Sequence, residues 1–458
     1  MTLSIVILAA GLGKRMHSAE PKVLHRLAGS SLLEHVVHTA EKLKPQALPI
    51  IIYGHQGELV RHRLADLNVS WVLQNQQLGT GHAVQQALPT LPKSGQVLVL
   101  YGDVPLITLE TLKNLIANTP ENSLGIVTAE LPDPAGFGRI IRNTKNQITA
   151  IIEEKDASEK QRDINEINTG IYLIPAALLH QWLPTLTNTN AQQEFYLTDL
   201  ISIAVAEKIS IVSIQPKHFE EILGVNNRLQ LACLERFYQQ QIAEKLMLQG
   251  VTLRDPHRFD VRGDVSIGQD VVIDINVILE GHVSIGNGCS IGPNTVLRNV
   301  VIGENTEIKA NSFIDGAEIA ESCSIGPFAR IRPGTILASK SHIGNFVEIK
   351  NSMIGTASKI SHLSYIGDSE IGNQVNIGAG TITCNYDGVN KHKTTIGDNV
   401  FVGSNTELIA PVTIGEGATI GAGSTITRNA PAHQLTVCRA SQRSIDNWQR
   451  PKKKEKEQ

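Results

Sequence analysis

From Val265 to Thr427, aliphatic side chains recur at every sixth position in two long runs. The first is Ile267, Ile273, Leu279, Ile285, Ile291 and Leu297; the second is Ile396, Val402, Leu408, Ile414, Ile420 and Ile426. Two residues before each stands a small or β-branched side chain, such as Val265, Val271, Cys289, Thr394, Ala418 or Ser424. An inward pair two apart has the period of a strand, and so short a repeat cannot hold a pair of helices. Each hexapeptide therefore predicts one short strand and a corner, and three of them close a triangular coil. At ~18 residues per coil, the span predicts roughly eight to ten coils with the aliphatics laddered inside. Glycine often follows the aliphatic residue, as at Gly268, Gly286, Gly292, Gly303, Gly326, Gly344, Gly397, Gly403, Gly415 and Gly421. Lacking Cβ, it is expected to serve the unusual backbone angles of the corner. Chance periodicity in a Val/Ile/Gly-rich sandwich does not account for two unbroken runs.

The remaining composition narrows the class. A chain of 458 residues holds two or three domains, and its net charge of −3 offers no basic footprint for nucleic acid. The five cysteines show no Cys-x-x-Cys spacing, so neither a zinc site nor a disulfide framework is expected. Cys289 and Cys323 fall in the small inward slot of the repeat, where a thiol acts as a small hydrophobe. Leu3–Ala10 is apolar, but no basic residue precedes it and it is too short for a signal sequence. No run reaches membrane-spanning length. The expectation is a soluble, reduced, cytoplasmic protein with no membrane or nucleic-acid partner.

Residues 1–228 alternate strand-like runs with helical stretches, which predicts an open α/β sheet with its ligands at the carboxyl ends of strands. The first run ends in Gly11-Leu12-Gly13-Lys14-Arg15-Met16, followed by Pro21-Lys22. This is neither a dinucleotide fingerprint nor a P-loop. Small residues nevertheless let the backbone approach a polyphosphate, with Arg15 and Lys22 to neutralise it. Alone, the loop reads more readily as a tight turn. Gln74 closes a later strand, Gly79-Thr80-Gly81 opens a helix, and Tyr101-Gly102-Asp103 ends another strand. A carboxylate there, facing a basic glycine loop, suits Mg²⁺ beside a triphosphate. Pro105 and Thr108 mark the next helix start better than Asp103 does, which argues against a capping role. Gly138, Glu153, Asn168-Thr169-Gly170 and Gly224-Val225-Asn226-Asn227-Arg228 each read singly as turns.

Leu229–Gln249 lacks Gly and Pro and predicts a helix ended by Gly250. It either holds two domains apart or packs wholly on the first. Beyond it, polar residues that do not suit a smooth repeat gather between 328 and 386. Arg332 follows an inward Ile, Glu348 and Lys350 flank inward Ile349, and His362 and Tyr365 come next. The repeat then breaks between Thr383 and Ile396 at Cys384-Asn385-Tyr386-Asp387-Gly388…Lys393, an insertion expected to project and bind. An outward His is ordinarily solvated surface. Among cations, a carboxylate and an extruded loop it reads as chemistry.

Taken together, these motifs resemble a family. Leu8-Ala9-Ala10-Gly11-x-Gly13-x-Arg15-Met16…Pro21-Lys22 resembles the signature of sugar-1-phosphate nucleotidylyltransferases. With Gln74…Leu78-Gly79-Thr80-Gly81-His82-Ala83, Tyr101-Gly102-Asp103-Val104-Pro105, Glu166–Gly170 and Gly224–Arg228, the whole chain resembles the bacterial bifunctional N-acetylglucosamine-1-phosphate uridyltransferases/glucosamine-1-phosphate acetyltransferases. The resemblance implies a Rossmann-like α/β nucleotidyltransferase domain (1–228), a helical linker (229–249) and a left-handed parallel β-helix acetyltransferase domain with a tail (250–458). It implies that Leu8, Ala9, Ala10, Gly11 and Gln74 hold the uridine nucleotide, with Gly79 and Thr80 on the uracil side and Arg15 and Lys22 at the phosphates. Tyr101 and Gly102 belong to the same pocket. Gly138, Glu153 and Asn168 line the N-acetylglucosamine pocket, and Asp103 and Asn226 share Mg²⁺. In the second domain, Arg332 and Lys350 grip the sugar phosphate, with Tyr365, Asn376, Asn385 and Tyr386 around the sugar. His362 acts as base, oriented by Glu348, and acetyl-CoA lies along Ala379, Ser404, Ala422 and Arg439. UTP and acetyl-CoA are the co-substrates, and a homotrimer is expected, with acetyltransferase sites between subunits. Leu12 and Lys14 depart from the family's loop, and Ile445 stands where a basic residue commonly helps hold CoA, with Arg443 nearby. A prism serving only to trimerise a nucleotidylyltransferase is the competing reading; a non-catalytic nucleotide-sugar scaffold is a third. The mixed-charge tail Pro451–Gln458 is expected to be disordered.

Overall fold

A computed structural model describes residues 2–11, 13–54, 57–451 and 453; Leu12 and most of the tail from Pro451 lie outside them. The chain divides into two compact units, Met1–Ile242 and Ala243–Gln458.

The first unit is built on a nine-stranded sheet. Its strands are β1 (Leu3–Ala9), β2 (Ile50–Tyr53), β3 (Ser70–Leu73), β4 (Gln96–Tyr101), β5 (Leu124–Glu130), β6 (Arg139–Arg142), β7 (Ile148–Ile152), β8 (Glu166–Pro175) and β9 (Ile211–Ile214). The central order is β9-β5-β8-β4-β1-β2-β3, with β6 and β7 paired beside β8. β4, β1, β2 and β3 run parallel, whereas β8 is antiparallel to both β4 and β5. Of these, β4, β1 and β2 are buried on both faces, which is why they read as near-continuous apolar runs. Val6, Ile52, Val97 and Val99 face one core, while Ile5, Ile7, Ile51 and Leu98 face the other. The helix Leu32–Glu41 starts at a capping box of Ser31 and Glu34 and buries Leu33, Val36, Val37 and Ala40 against the second core. Each such Val or Leu contributes on the order of 1.5–3 kcal/mol. The register places Leu8 beside both Ile52 and Tyr101, and Tyr53 beside Leu73, so four carboxyl ends share one edge.

The second unit is a left-handed parallel β-helix of hexapeptide repeats. One of its faces is an eleven-stranded parallel ladder from Thr252–Leu253 to Leu435–Thr436. Leu253, Ile273, Ile291, Ile308, Ile325, Ile343, Ile360, Ile377, Val402 and Ile420 stack inside it, all buried. The ladder outruns the Val265–Thr427 periodicity at both ends. The first coil is lengthened by the long strand Phe259–Ile267, and in the last Thr436 occupies the aliphatic slot above Ile420.

The expected role of the repeat glycines needs correction. Of those named above, only Gly326 has a left-handed φ, +95°. All the others but Gly421, which faces the Val437 side chain, stand where the next coil's backbone crosses closely: a Cβ placed on Gly286 would lie 2.7 Å from the Glu304 amide nitrogen. Left-handed corners fall instead to residues such as Asn276, Asn294 and Asn311, whose amides link in a ladder at 2.9 and 3.2 Å. Asparagine tolerates this conformation and offers its amide to the next coil. Gly286→Ala should therefore destabilise the β-helix by about 1–3 kcal/mol, the cost of overpacking. A lowered thermal unfolding transition is the expected observation; an unshifted one contradicts close coil stacking as the reason for glycine.

The helix Arg228–Leu248 contains the division between the units. Leu234 packs with Met16, Leu27, Leu32 and Val225 of the first unit. Among the described residues, no helix is long and apolar enough to cross a membrane.

Candidate active sites

At the shared carboxyl edge of the first unit lies a cavity of about 400 Å³, lined by Leu8, Ala9, Ala10, Gly11, Lys22, Gln74, Gly79, Thr80, Tyr101 and Asp103. Backbone bonds beyond the strands fix its floor: Gly102 N–H donates to the Leu8 carbonyl at 2.9 Å, and Gln74 N–H to that of Tyr53 at 2.8 Å. Gly79 has φ +106°, and a Cβ there would lie 2.6 Å from the Phe195 carbonyl oxygen. That carbonyl accepts the Gly81 N–H at 2.8 Å, locking the start of the helix Thr80–Ala87. Lys22 forms an ion pair with Asp103 and donates to Asn226 Oδ1 at 3.3 Å. Asn226 reaches this point because the Val225 N–H donates to the Asp103 carbonyl at 2.9 Å.

A second lobe gathers behind Tyr101, whose ring lies against Gly170. The Asn168 N–H donates to the Gly138 carbonyl at 2.8 Å, and its side chain accepts from Tyr172 at 2.9 Å. A Cβ on Gly138 would lie 3.4 Å from the Glu153 carboxylate, which accepts a hydrogen bond from Thr198 at 3.1 Å. Burial pushes the Glu153 carboxyl up, against the Thr198 bond, and the Asp156 and Asp199 charges add to the rise. Burial, then the Glu153 and Asp103 charges, raise the Tyr101 phenol well above its ordinary range. Arg15 is not brought into the cavity. It lies exposed, like Lys14, on a short helix anchored by buried Met16. Glu194, Gln77 and Val23 line the cavity without having been read from the sequence. Nothing local marks Glu194; the docking of Phe195, whose carbonyl accepts from Gly81 and whose N–H donates to the Leu78 carbonyl, places it there.

In the second unit the outward cluster is assembled by register. Glu348 pairs with Arg330 on one side and Tyr365 on the other. Lys350 approaches Asp368 at 3.9 Å, and Asp368 also accepts hydrogen bonds from Asn385 and, at 2.7 Å, from Asn351. Burial would raise the Asp368 carboxyl, but these amide bonds and the Lys350 charge outweigh it and hold it below the usual range. The inserted loop doubles back, with Tyr386 paired to Lys391 and Asp387 bonded to His392 at 2.7 Å. It carries Lys391 to Lys350, whose proximity lowers the Lys391 ammonium. Lys391 was not read from the sequence, because its neighbour lies in another coil. Asn376 sits on the face of the His362 strand, between Lys359 and Phe401.

Among the described residues the expected contact between Glu348 and His362 is not made. Its carboxylate meets Arg332 at 2.8 Å, while His362 Nδ1 meets Asn345 Oδ1 at 2.6 Å. Asn345 and His362 are register partners at the end of adjacent strands, and Glu348 lies beyond the following corner. With Asn345 Oδ1 accepting from Nδ1–H, Nε2 is left as the basic nitrogen.

The edge bearing His362 continues through the later coils. The His362 carbonyl accepts from Gly380 N–H at 3.4 Å, that of Ala379 from Asn405 at 2.7 Å, and that of Ser404 from Gly423 at 2.9 Å. Arg439 then donates to the Ala422 carbonyl at 2.6 Å. Ala379, Ser404, Ala422 and Arg439 thus form one column leading away from the imidazole. Arg443 and Ile445 follow as exposed residues.

The family profile for the MobA-like NTP transferase domain matches residues 5–166, that for the GMPPB C-terminal domain residues 261–343, and that for six bacterial transferase hexapeptide repeats residues 393–428. The chain is 55% identical to the bifunctional protein GlmU of Marinobacter nauticus over 98% of its own length and 99% of that protein's. It is 56% identical to the GlmU of Nitrosospira multiformis, covering 99% of each, and 55% identical to that of Pseudomonas putida over 100% of each. With both domains matched and identity sustained end to end, the chain belongs to the GlmU family of bifunctional proteins.

Proposed function

We propose that the chain makes UDP-N-acetylglucosamine in two steps, acetylating glucosamine 1-phosphate with acetyl-CoA and then transferring UMP from UTP to the product. The observation that carries this reading is that each unit holds its own reactive cluster: Asp103 and Lys22 in a nucleotide-sized cavity, and His362 on the β-helix edge. A prism serving only assembly has no use for Arg332, Lys350, His362 and Asn385.

In the uridylyl step an oxygen of N-acetylglucosamine 1-phosphate attacks the α-phosphorus of UTP; the new P–O bond forms as the bond to pyrophosphate breaks. This reaction needs positioning and charge neutralisation more than a covalent catalyst. Leu8–Gly11 and Gln74 hold the nucleotide, Lys22 neutralises the phosphates, and Gly138, Glu153 and Asn168 take the sugar. Asp103 and Asn226 suit Mg²⁺, since their oxygens already converge on one cation, the Lys22 ammonium. When bound, the metal supplies further charge neutralisation at the triphosphate.

In the acetyl step, His362 Nε2 takes a proton as the amine of glucosamine 1-phosphate attacks the thioester carbonyl. The C–N bond forms, the C–S bond breaks and the thiol of CoA leaves protonated. Arg332, Lys350 and Lys391 receive the sugar phosphate, Tyr365, Asn376, Asn385 and Tyr386 surround the sugar, and the column from Ala379 to Arg439 receives acetyl-CoA. An imidazole suits the base because its ordinary pKa lies near neutrality.

These substrates and reduced cysteines fit the cytoplasm. A homotrimer completes the second site. One prism face is too flat to enclose a sugar phosphate and a cofactor arm, while three prisms about an axis create clefts. Tyr386 and Val389 on the inserted loop are 60% and 83% exposed, and Phe328, Phe346 and Leu363 form an exposed apolar strip beside His362. Light scattering on a sizing column should give a trimer, and chelation of Mg²⁺ should stop pyrophosphate release while sparing acetyl transfer. A fully acetylating monomer contradicts the shared site, and uridylyl transfer undiminished in chelator contradicts the metal.

A further inference from the structure

Gln74 closes β3 at the wall of the nucleotide cavity and is only 2% exposed. Its amide nitrogen has two neighbours: the Gly79 carbonyl oxygen at 3.1 Å and His82 Nδ1 at 3.0 Å. A backbone carbonyl can only accept a hydrogen bond, so the amide atom facing it is the NH₂ and not the oxygen. The second hydrogen of that NH₂ then points at His82, whose Nδ1 must be an unprotonated acceptor. Both amide hydrogens are thereby used inside the protein. Oε1 is left without a protein partner among the described residues and is what Gln74 offers the cavity.

We infer that His82 is a positioning residue for base selection: as a neutral imidazole with its proton on Nε2, it holds the Gln74 amide so that only an oxygen faces the base. This rests on the reading of the cavity as a uridine nucleotide site. An oxygen in that place accepts from the imide N3–H of uracil. Against cytosine, whose N3 carries a lone pair instead, it meets another acceptor. Were the imidazole to become a donor at Nδ1, the Gln74 amide would be driven to turn and present NH₂, which reverses the preference.

His82 lies in the first turn of the helix Thr80–Ala87, half-buried, with its ring 6.3 Å from that of Phe195. The groups around it are uncharged: the Gln74 and Gln86 amides, the Gln76 carbonyl and Phe195. Gln86 Nε2 also approaches His82 Nε2, at 3.2 Å, and the His82 carbonyl at 3.3 Å, so it competes for the opposite tautomer. The contacts of Gln74 are shorter and the Gln74 side chain is itself buried, whereas Gln86 is partly exposed and can turn its amide toward water, so Gln74 decides the tautomer. Burial lowers the His82 pKa below the ordinary histidine value, opposed by the Gln76 carbonyl, which favours the neutral ring. KM for UTP should accordingly rise as the medium is made more acidic.

Two substitutions separate this role from simple packing. In His82→Asn the side-chain oxygen can take the place of Nδ1; in His82→Gln the amide reaches the place of Nε2 instead. With supplied N-acetylglucosamine 1-phosphate and the full chain, His82→Gln should raise KM for UTP about tenfold and lower the UTP-over-CTP preference by about the same factor, the equivalent of one buried hydrogen bond. Its kcat should change far less, and an unshifted thermal unfolding transition of the nucleotide-binding unit reports intact folding. His82→Asn should keep the preference and lose the acid rise in KM. An unaltered UTP/CTP ratio in His82→Gln, equal loss on both nucleotides, or failure of His82→Asn to restore the ratio overturns the inference. Absence of UTP turnover in the unsubstituted protein overturns the uridine reading itself, and the inference with it.

Discussion

Asp103→Asn should lower uridylyl transfer by on the order of 10²-fold or more, the scale for losing a key electrostatic stabiliser, and leave acetyl transfer intact. The substitution keeps the side chain's shape and removes its charge. In the protein that charge is paired with Lys22, which in turn reaches Asn226. Without it, Lys22 loses its anchor and Mg²⁺ loses its only carboxylate in this group, leaving an amide oxygen on each side. The Asp103 backbone carbonyl still accepts the Val225 N–H, so the segment that positions Asn226 stays in place. The loss should therefore appear in the chemistry and not in folding. Pyrophosphate release and CoA release, measured on the same sample, check it. Parallel loss of both would mean that one site serves both reactions or that the variant is unfolded, which thermal unfolding distinguishes.

His362→Ala should produce the converse. Removing the general base should cut acetyl transfer by about 10²–10⁴-fold, with uridylylation of supplied N-acetylglucosamine 1-phosphate spared. The side chain is exposed and, among the described residues, bonded only to Asn345, so its loss opens no cavity and little stability goes with it. Asn345→Ala should give a smaller loss, because the imidazole remains but its tautomer is no longer fixed. Glu348→Gln should act through Arg332 and the phosphate grip, raising KM for glucosamine 1-phosphate more than it lowers kcat. A near-unsubstituted acetylation rate in His362→Ala removes the base assignment.

Much of this protein can be read from its residues, for a physical reason. Inward aliphatics six apart encode strand, corner and coil together, because only one stacking buries all of them. The floor of the first cavity was equally legible, since Gly11, Gln74, Gly79 and Asp103 stand at strand ends, where parallel sheets bind ligands. What stayed hidden depends on contacts between distant segments. Glu194 reaches the cavity through a carbonyl 114 residues from Gly81 along the chain (195 − 81). The partner of His362 depends on coil length: Asn345 lies 17 residues before it and meets it in register, whereas Glu348 lies 16 after Arg332 and meets that instead. Outward residues in a prism are visible from the pattern; which of them touch is not. The glycines mislead for the same reason. Their role is set by the coil above them, not by their own backbone angles.

The central claim is that one chain performs acetyl transfer and uridylyl transfer in sequence at two separate sites. Its most direct test is to incubate the full chain with glucosamine 1-phosphate, acetyl-CoA, UTP and Mg²⁺, omitting each in turn and following CoA, pyrophosphate and the sugar products. UDP-N-acetylglucosamine should form only in the complete mixture. N-acetylglucosamine 1-phosphate should accumulate when UTP is absent, and pyrophosphate release should fall away without acetyl-CoA unless N-acetylglucosamine 1-phosphate is supplied. Pyrophosphate released from glucosamine 1-phosphate and UTP at the full rate without acetyl-CoA, or no CoA released in any mixture, would contradict it.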